Sequence, residues 1–411
     1  MKSTPSLVWL AVSASCFLHS FATAVEWPQW RGANRDGIST EKISPANWEK
    51  DGPKQLWKKQ VGTGASSVAV RGGRLYTMGN NGDMDVVFCL DAATGAEIWK
   101  HTYPQIRAVD DELDPSRFEG GPGGTPTVDA DKVYTLSHEG DLFCLAAASG
   151  KVLWSKNLQK DFSGRRRRYG YAGSPLVDGN LVIVDSGGVG ASTVALDKTT
   201  GALKWKAGDD EAGYSSPVGF DLAGLRCVAV FKADALVGLN AANGQELWRF
   251  PWETSYDINA PTPIVFGDKI FITSGYGAGC ALLQVRPGKA TEIWRNKNLR
   301  SQLASPVLVQ GNIYGIDGNV GGGELRCLDV GTGVIKWKRN VGGGTLIAAG
   351  GHLLILSERG ELVVAEASPT NYREAARAQV LGGQCWVTPA VANGKIYCKN
   401  NQGTLVCLDG R

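Results

Sequence analysis

This 411-residue chain is poorest in histidine, methionine and long apolar runs. It holds four His and three Met. Past residue 24 no apolar stretch reaches the roughly twenty residues that a membrane-spanning helix needs. Of the three later histidines, His101, His138 and His352, none belongs to an H-E-x-x-H pair, and the lone His138-Glu139 reads as part of a turn. No G-x-x-x-x-G-K-[ST] loop and no G-x-S-x-G elbow occurs, so neither a phosphate cradle nor an exposed nucleophile is encoded. A Cys-x-x-Cys-His attachment for covalent haem is missing too. Charge is balanced, 43 Lys and Arg against 40 Asp and Glu for a net +3, which is no footprint for nucleic acid. A sustained helical period is also lacking. No catalytic residue and no metal ligand is singled out.

What the chain has is glycine and repetition. Its 54 glycines are about twice the usual share, as a turn-rich β fold requires. Asp91-Ala-Ala-Thr-Gly-Ala-Glu-Ile-Trp99 returns as Ala146-Ala-Ala-Ser-Gly-Lys-Val-Leu-Trp154, Asp197-Lys-Thr-Thr-Gly-Ala-Leu-Lys-Trp205, Asn240-Ala-Ala-Asn-Gly-Gln-Glu-Leu-Trp248 and Asp329-Val-Gly-Thr-Gly-Val-Ile-Lys-Trp337. Arg286-Pro-Gly-Lys-Ala-Thr-Glu-Ile-Trp294 keeps the spacing with a changed turn. With Trp57 the tryptophans recur every 42 to 55 residues. Such a period signals a solenoid or a propeller.

Between tryptophans the text is β-like. Ser/Thr-Pro pairs (Thr125-Pro126, Ser174-Pro175, Ser216-Pro217, Thr262-Pro263, Ser305-Pro306, Thr388-Pro389) open each unit. Tight-turn dipeptides, apolar runs such as Leu181-Val-Ile-Val184, a strand ending in Leu-Asp and the Trp strand follow. Four short strands per repeat make a propeller blade. Gln55-Leu-Trp-Lys58 reads as a fourth strand with no first three, and Trp386 to Asp409 as three strands with no fourth. Pairing them closes the ring and removes sheet edges. The expectation is an all-β, eight-bladed β-propeller of four-stranded antiparallel blades, with the N-terminal strand completing the last one. The stretch 345–380, whose Glu374-Ala-Ala-Arg-Ala-Gln-Val380 lacks the Trp, leaves seven blades open.

Residues 1–24 read as an export signal: one charge, Lys2, then an apolar stretch and Ala22-Thr-Ala24. Residues 25–411 are then one propeller domain, located in the periplasm or outside the cell. A lipid anchor at Cys16 is the lesser alternative, since Ser13-Ala-Ser precedes it. Export permits disulfides among the other eight cysteines. Cys89, Cys144, Cys327 and Cys407 hold one equivalent strand position in four blades and read as small buried hydrophobes. Cys227, Cys280, Cys385 and Cys398 stay open as disulfide partners.

The repeated A/L-D-x-x-T-G-x-x-x-W unit in an exported chain resembles the pyrroloquinoline quinone (PQQ) repeat family of β-propellers. Glu26-Trp-Pro-Gln-Trp-Arg-Gly-Ala-Asn-Arg-Asp-Gly37 resembles the start of many bacterial members. The resemblance implies that Trp57, Trp99, Trp154, Trp205, Trp248, Trp294 and Trp337 are structural, packed between blades. It also offers two functional branches. One holds quinoprotein dehydrogenases, which carry PQQ and calcium at the propeller centre and oxidise alcohols or sugars. The other holds the BamB type, an accessory of outer-membrane β-barrel assembly that binds protein partners. Many alcohol-oxidising members have adjacent cysteines beside the cofactor, and no two cysteines are neighbours here. The chain therefore reads as a protein-binding scaffold of the cell envelope without a cofactor. The alternatives are a PQQ- and calcium-dependent alcohol or sugar dehydrogenase, or a propeller that binds carbohydrate or another small ligand.

A binding face follows from blade topology. Loops from the fourth strand to the next first strand share one rim with the second-to-third-strand loops. On that rim lie Tyr169, Tyr171, Tyr214, Asn259, Tyr276, Asp317, Glu358, Arg359 and Trp386, with cap and turn roles as the plainer reading. The long acidic connection 108–114 is expected to cover or extend the same face. Arg165-Arg-Arg-Arg168 reads as a solvated loop or as a dock for an acidic partner or anionic headgroups.

Overall fold

The computed structural model describes residues 25–48, 52–105 and 120–411. The leader 1–24 with Cys16 and the acidic connection 108–114 lie outside the described residues. Eight separate antiparallel sheets are built from consecutive strands. Blade 1 comprises Ala69–Arg71, Arg74–Asn80, Met84–Asp91 and Glu97–Pro104. Blades 2 to 7 occupy 127–157, 176–207, 218–251, 264–296, 307–340 and 345–379. Blade 8 takes Ala390–Ala392, Lys395–Lys399 and Thr404–Asp409 from one end of the chain and Gln55–Gln60 from the other. Trp57 sits opposite Cys407 and Gln55 opposite Leu408, so the ring closes as the sequence implied. The chain is an eight-bladed all-β propeller. Among the described residues no helix is long and apolar enough to cross a membrane.

The repeated motif is a device for joining one blade to the next. Asp91 Oδ1 accepts the amides of Ala93 and Thr94 at 3.0 and 2.8 Å and the Thr94 hydroxyl at 2.8 Å, which shapes the turn. These bonds, that from the Thr94 hydroxyl foremost, hold the carboxyl below its ordinary range. Gly95 then turns with φ 72° beneath the Trp57 ring of blade 8, where a Cβ would fall 2.7 Å from the ring. Trp57 Nε1 donates to Ala92 O at 3.3 Å. The same link recurs from Trp99 to Ala147, Trp154 to Lys198, Trp205 to Ala241 and Trp294 to Val330. A tyrosine of the second strand, such as Tyr76 beside Trp99 at 5.9 Å, packs against several of these rings.

The two irregular repeats have local causes. Blade 5 carries the altered turn at Arg286-Pro287-Gly288, and Trp248, which faces it from blade 4, has no partner for Nε1. Its ring lies instead on Gly238 of its own blade. Blade 7 has Ala376 opposite Val364, where other blades place the Trp. A Trp there would have nothing to stack on, because the third-to-fourth turn of blade 8 is replaced by the two chain ends. Trp48, next to the 3-10 turn Pro45–Asn47, packs with Ala376 against the same core cluster.

The Ser/Thr-Pro pairs form a ring around the channel. The Ser174 hydroxyl accepts the Thr125 amide, that of Ser216 the Ser174 amide, and that of Ser305 the Thr262 amide, each at 2.9 Å. All eight described cysteines are buried and free, which settles the four left open.

Candidate functional site

The channel is stoppered by the chain's own N-terminal segment. Trp27 exchanges backbone hydrogen bonds with Val70 in the first strand of blade 1, and Glu26 accepts the Gly72 amide below it. The segment therefore enters from the face of the first-to-second-strand turns. It leaves along Ile38–Ser39, a fifth strand parallel to Ala348–Ala349 of blade 7. Between these points Arg31 and Arg35 adopt left-handed backbones, φ 59° and 57°, and both side chains are buried. Arg31 Nη1 donates to Ser305 O at 2.9 Å and Nη2 to Pro306 O. Arg35 Nη1 donates to Pro217 O at 2.9 Å and Nη2 to Pro175 O. The carbonyls of the Ser/Thr-Pro ring thus solvate two guanidinium groups. Burial lowers both from their usual values, Arg35 to about 9, so both stay charged at neutral pH.

Above this stopper opens a blind bowl of about 570 Å³. Trp30 forms its floor, with Nε1 donating to Thr262 Oγ1 at 2.9 Å. Tyr169, Tyr214, Tyr276 and Trp386 stand in the wall with Gln302 and Glu358. Tyr169 and Tyr214 meet edge to face at 5.7 Å, and Tyr276 meets the exposed Tyr256 of the rim at 4.8 Å. Gln302 donates to the Tyr276 hydroxyl at 2.8 Å and accepts the Val320 amide at 2.8 Å, which fixes the Tyr276 ring and the Gln302 amide. Glu358 accepts the Gly321 amide at 2.8 Å, and burial raises its pKa.

The sequence had placed nine residues on this rim, and five of them border the bowl: Tyr169, Tyr214, Tyr276, Glu358 and Trp386. The other four stand elsewhere. Tyr171 is buried between blades with its hydroxyl on Ser186 O at 3.1 Å. Asn259 is buried and donates to Lys232 O and Ala233 O, each at 2.9 Å. Asp317 is locked between Arg300 and Arg326 at 2.7 and 2.8 Å. Arg359 points to solvent beside the bowl. The floor residue Trp30 and the Arg31–Arg35 stopper were not foreseen. Within the arginine tract, Arg166 pairs with Glu139 at 3.1 Å and Arg167 with Glu211 and Asp257, so at least two of the four charges are spent internally.

Two buried ammonium groups brace neighbouring blades. Lys232 Nζ meets Asp185 at 2.6 Å and the hydroxyls of Ser192 and Thr193. Lys399 of blade 8 donates to Gly64 O, Ser66 O and Met78 O at 3.0 to 3.1 Å with no carboxylate, and burial lowers it to about 7.

Calcium takes about six to eight oxygen ligands, several of them carboxylate. The bowl wall supplies one carboxylate, Glu358. Among the described residues no group of three or more His, Cys, Asp or Glu is placed to hold a metal ion.

A family model described as outer membrane protein assembly factor BamB matches residues 47–108 and 83–339. The BamB of Yersinia pestis is 25% identical over 297 residues, 71% of this chain and 62% of that protein. That of Moranella endobia is 26% identical over 258 residues, covering 58% and 63%. The chain thus spans about six-tenths of the length of these curated relatives. Quinohemoprotein alcohol dehydrogenase ADH IIB of Pseudomonas putida is 30% identical over 139 residues, 32% of this chain and 19% of the dehydrogenase. By fold alone, BamB from Moraxella catarrhalis superimposes with a TM-score of 0.64 at 16% identity, covering 86% and 96% of the two chains. Quinohemoprotein alcohol dehydrogenase from Comamonas testosteroni gives 0.63 at 16% identity over 94% and 81%. The repeats, the eight closed blades and the match over most of the chain agree: this protein belongs to the PQQ-like β-propeller family whose model is described as outer membrane protein assembly factor BamB.

Proposed function

We propose that this propeller is a protein-binding scaffold of the bacterial cell envelope that docks its partner over the bowl. The observation that carries the reading is the stopper: Arg31 and Arg35 close the channel from within, so the aromatic bowl opens on one face only. Fixed aromatic rings amid a few polar groups suit a protruding segment of another protein, since rigid rings lose little entropy on contact. The BamB relatives, by name assembly factors of the outer membrane, support an envelope role, an exported chain and a protein partner.

The test is capture from an envelope extract by the immobilised protein, set against Ala65→Trp, which fills the bowl from an exposed wall position. A defined partner held by the wild type and lost by the folded variant supports the reading. Equal capture by both contradicts it. The rival, a quinone-dependent oxidoreductase, is tested by titration with PQQ plus calcium, following the cofactor spectrum and dye-linked alcohol oxidation. Tight binding with turnover would replace the scaffold reading.

A further inference from the structure

Among the described residues the bowl wall holds one carboxylate, Glu358, and no basic side chain pairs with it. Other carboxylates near this face meet basic side chains: Glu139 meets Arg166, Asp185 meets Lys232, Glu211 and Asp257 meet Arg167, and Asp317 meets Arg300 and Arg326. Glu358 is half-buried, and its one hydrogen bond among the described residues comes from the Gly321 amide to Oε2. Its Oε1 lies 3.0 Å from where a Cβ on Gly343 would stand, so a side chain at 343 would crowd this oxygen. Glu358, Trp386, Gln302 and Val320 together border the same end of the bowl. The basic wall residues His138 and Arg168 belong to blade 2 and the connection to blade 3, about half a ring from blade 7.

Resting on the docking reading, we propose that the partner inserts an arginine side chain into the bowl, its guanidinium pairing with Glu358 beside Trp386. A carboxylate withdrawn from water gains most from a cation that brings its own donors. A planar guanidinium presents two parallel donors to a carboxylate, which an ammonium does less well. The neighbouring Gln302 has both ends of its amide engaged by Tyr276 and Val320, so the carboxylate is the strong acceptor left at this end.

The experiment is a calorimetric titration of the whole protein with Nα-acetyl-arginine amide and with its neutral isostere Nα-acetyl-citrulline amide. The arginine probe is expected to bind at least about tenfold more tightly, and Glu358→Gln to bring the two within about twofold. Glutamine keeps the acceptor for Gly321, so an unchanged melting temperature verifies the fold, and Glu358→Asp should retain part of the preference. Equal affinity for both probes, a preference that survives Glu358→Gln, or no heat from either probe overturns the arginine subsite. Those outcomes leave the docking reading intact, because that reading fails on its own if Ala65→Trp captures the partner as well as the wild type does.

Discussion

At the scale of single residues, the same side chain has different worth in different blades. Trp99 hands its indole proton to Ala147, whereas Trp248 faces a shortened turn and gives its proton to nothing. Trp99→Phe should therefore cost about 1 kcal/mol more than Trp248→Phe in denaturant titrations, the net worth of one buried hydrogen bond. Asp85 is fully buried, accepts Asn80 Nδ2 at 2.8 Å and the Tyr103 hydroxyl at 3.4 Å, and burial raises its carboxyl to about 6. The fold favours its protonated form. Its contribution is complete below the unfolded value near 4 and is lost as pH rises through 6. Asp85→Asn should accordingly stabilise the protein at pH 7 by on the order of 2 kcal/mol, with little gain at pH 4. The unpartnered Asn80 Oδ1 offers a new amide an acceptor. Unfolding curves at the two pH values check both claims.

Elements show what a linear text carries and what it hides. Strand order, turns and inter-blade tryptophans were legible because each repeats and each has a local cause: an Asp that caps, a Gly that turns, a Trp that stacks. The stopper was not legible. Residues 26–37 read only as a segment resembling the start of family members, and the partners of Arg31 and Arg35 include carbonyls more than a hundred residues away, which leave no mark on composition. The rim was half legible: five of the nine residues that blade topology put there border the bowl, and the direction of the other four side chains was not readable. Tyr171 and Asn259 turn inward because backbone carbonyls await them there, and Asp317 is claimed by Arg300 and Arg326. Removing the stopper's donors should be costly. Arg35→Ala strips hydrogen bonds from Pro175 and Pro217, and a loss of about 2 to 4 kcal/mol is expected, with Arg35→Lys recovering little because one ammonium cannot span both. Thermal melts of the two variants measure it.

For the whole molecule, closure is the decisive property, and two devices enforce it. Gln55–Gln60 zips blade 8 shut, and Lys399 ties that blade to three carbonyls beside blade 1. Because burial lowers Lys399 to about 7 from 10.5, the unfolded chain holds the proton more firmly than the fold does. Stability from this group is complete above the unfolded value and is lost as pH falls through 7, so the wild type should gain stability between pH 7 and 10. Lys399→Met should flatten that slope. A closed ring with one face stoppered makes the bowl the concave surface on the channel axis open to a partner, and that is the claim on which the functional account stands. A photo-crosslinking residue placed at Tyr256, exposed on the bowl rim, and another at Lys289, in a third-to-fourth-strand turn on the opposite face, test it most directly in cells. The account predicts a defined protein adduct from position 256 and none from 289; adducts from 289 with none from 256 would contradict it.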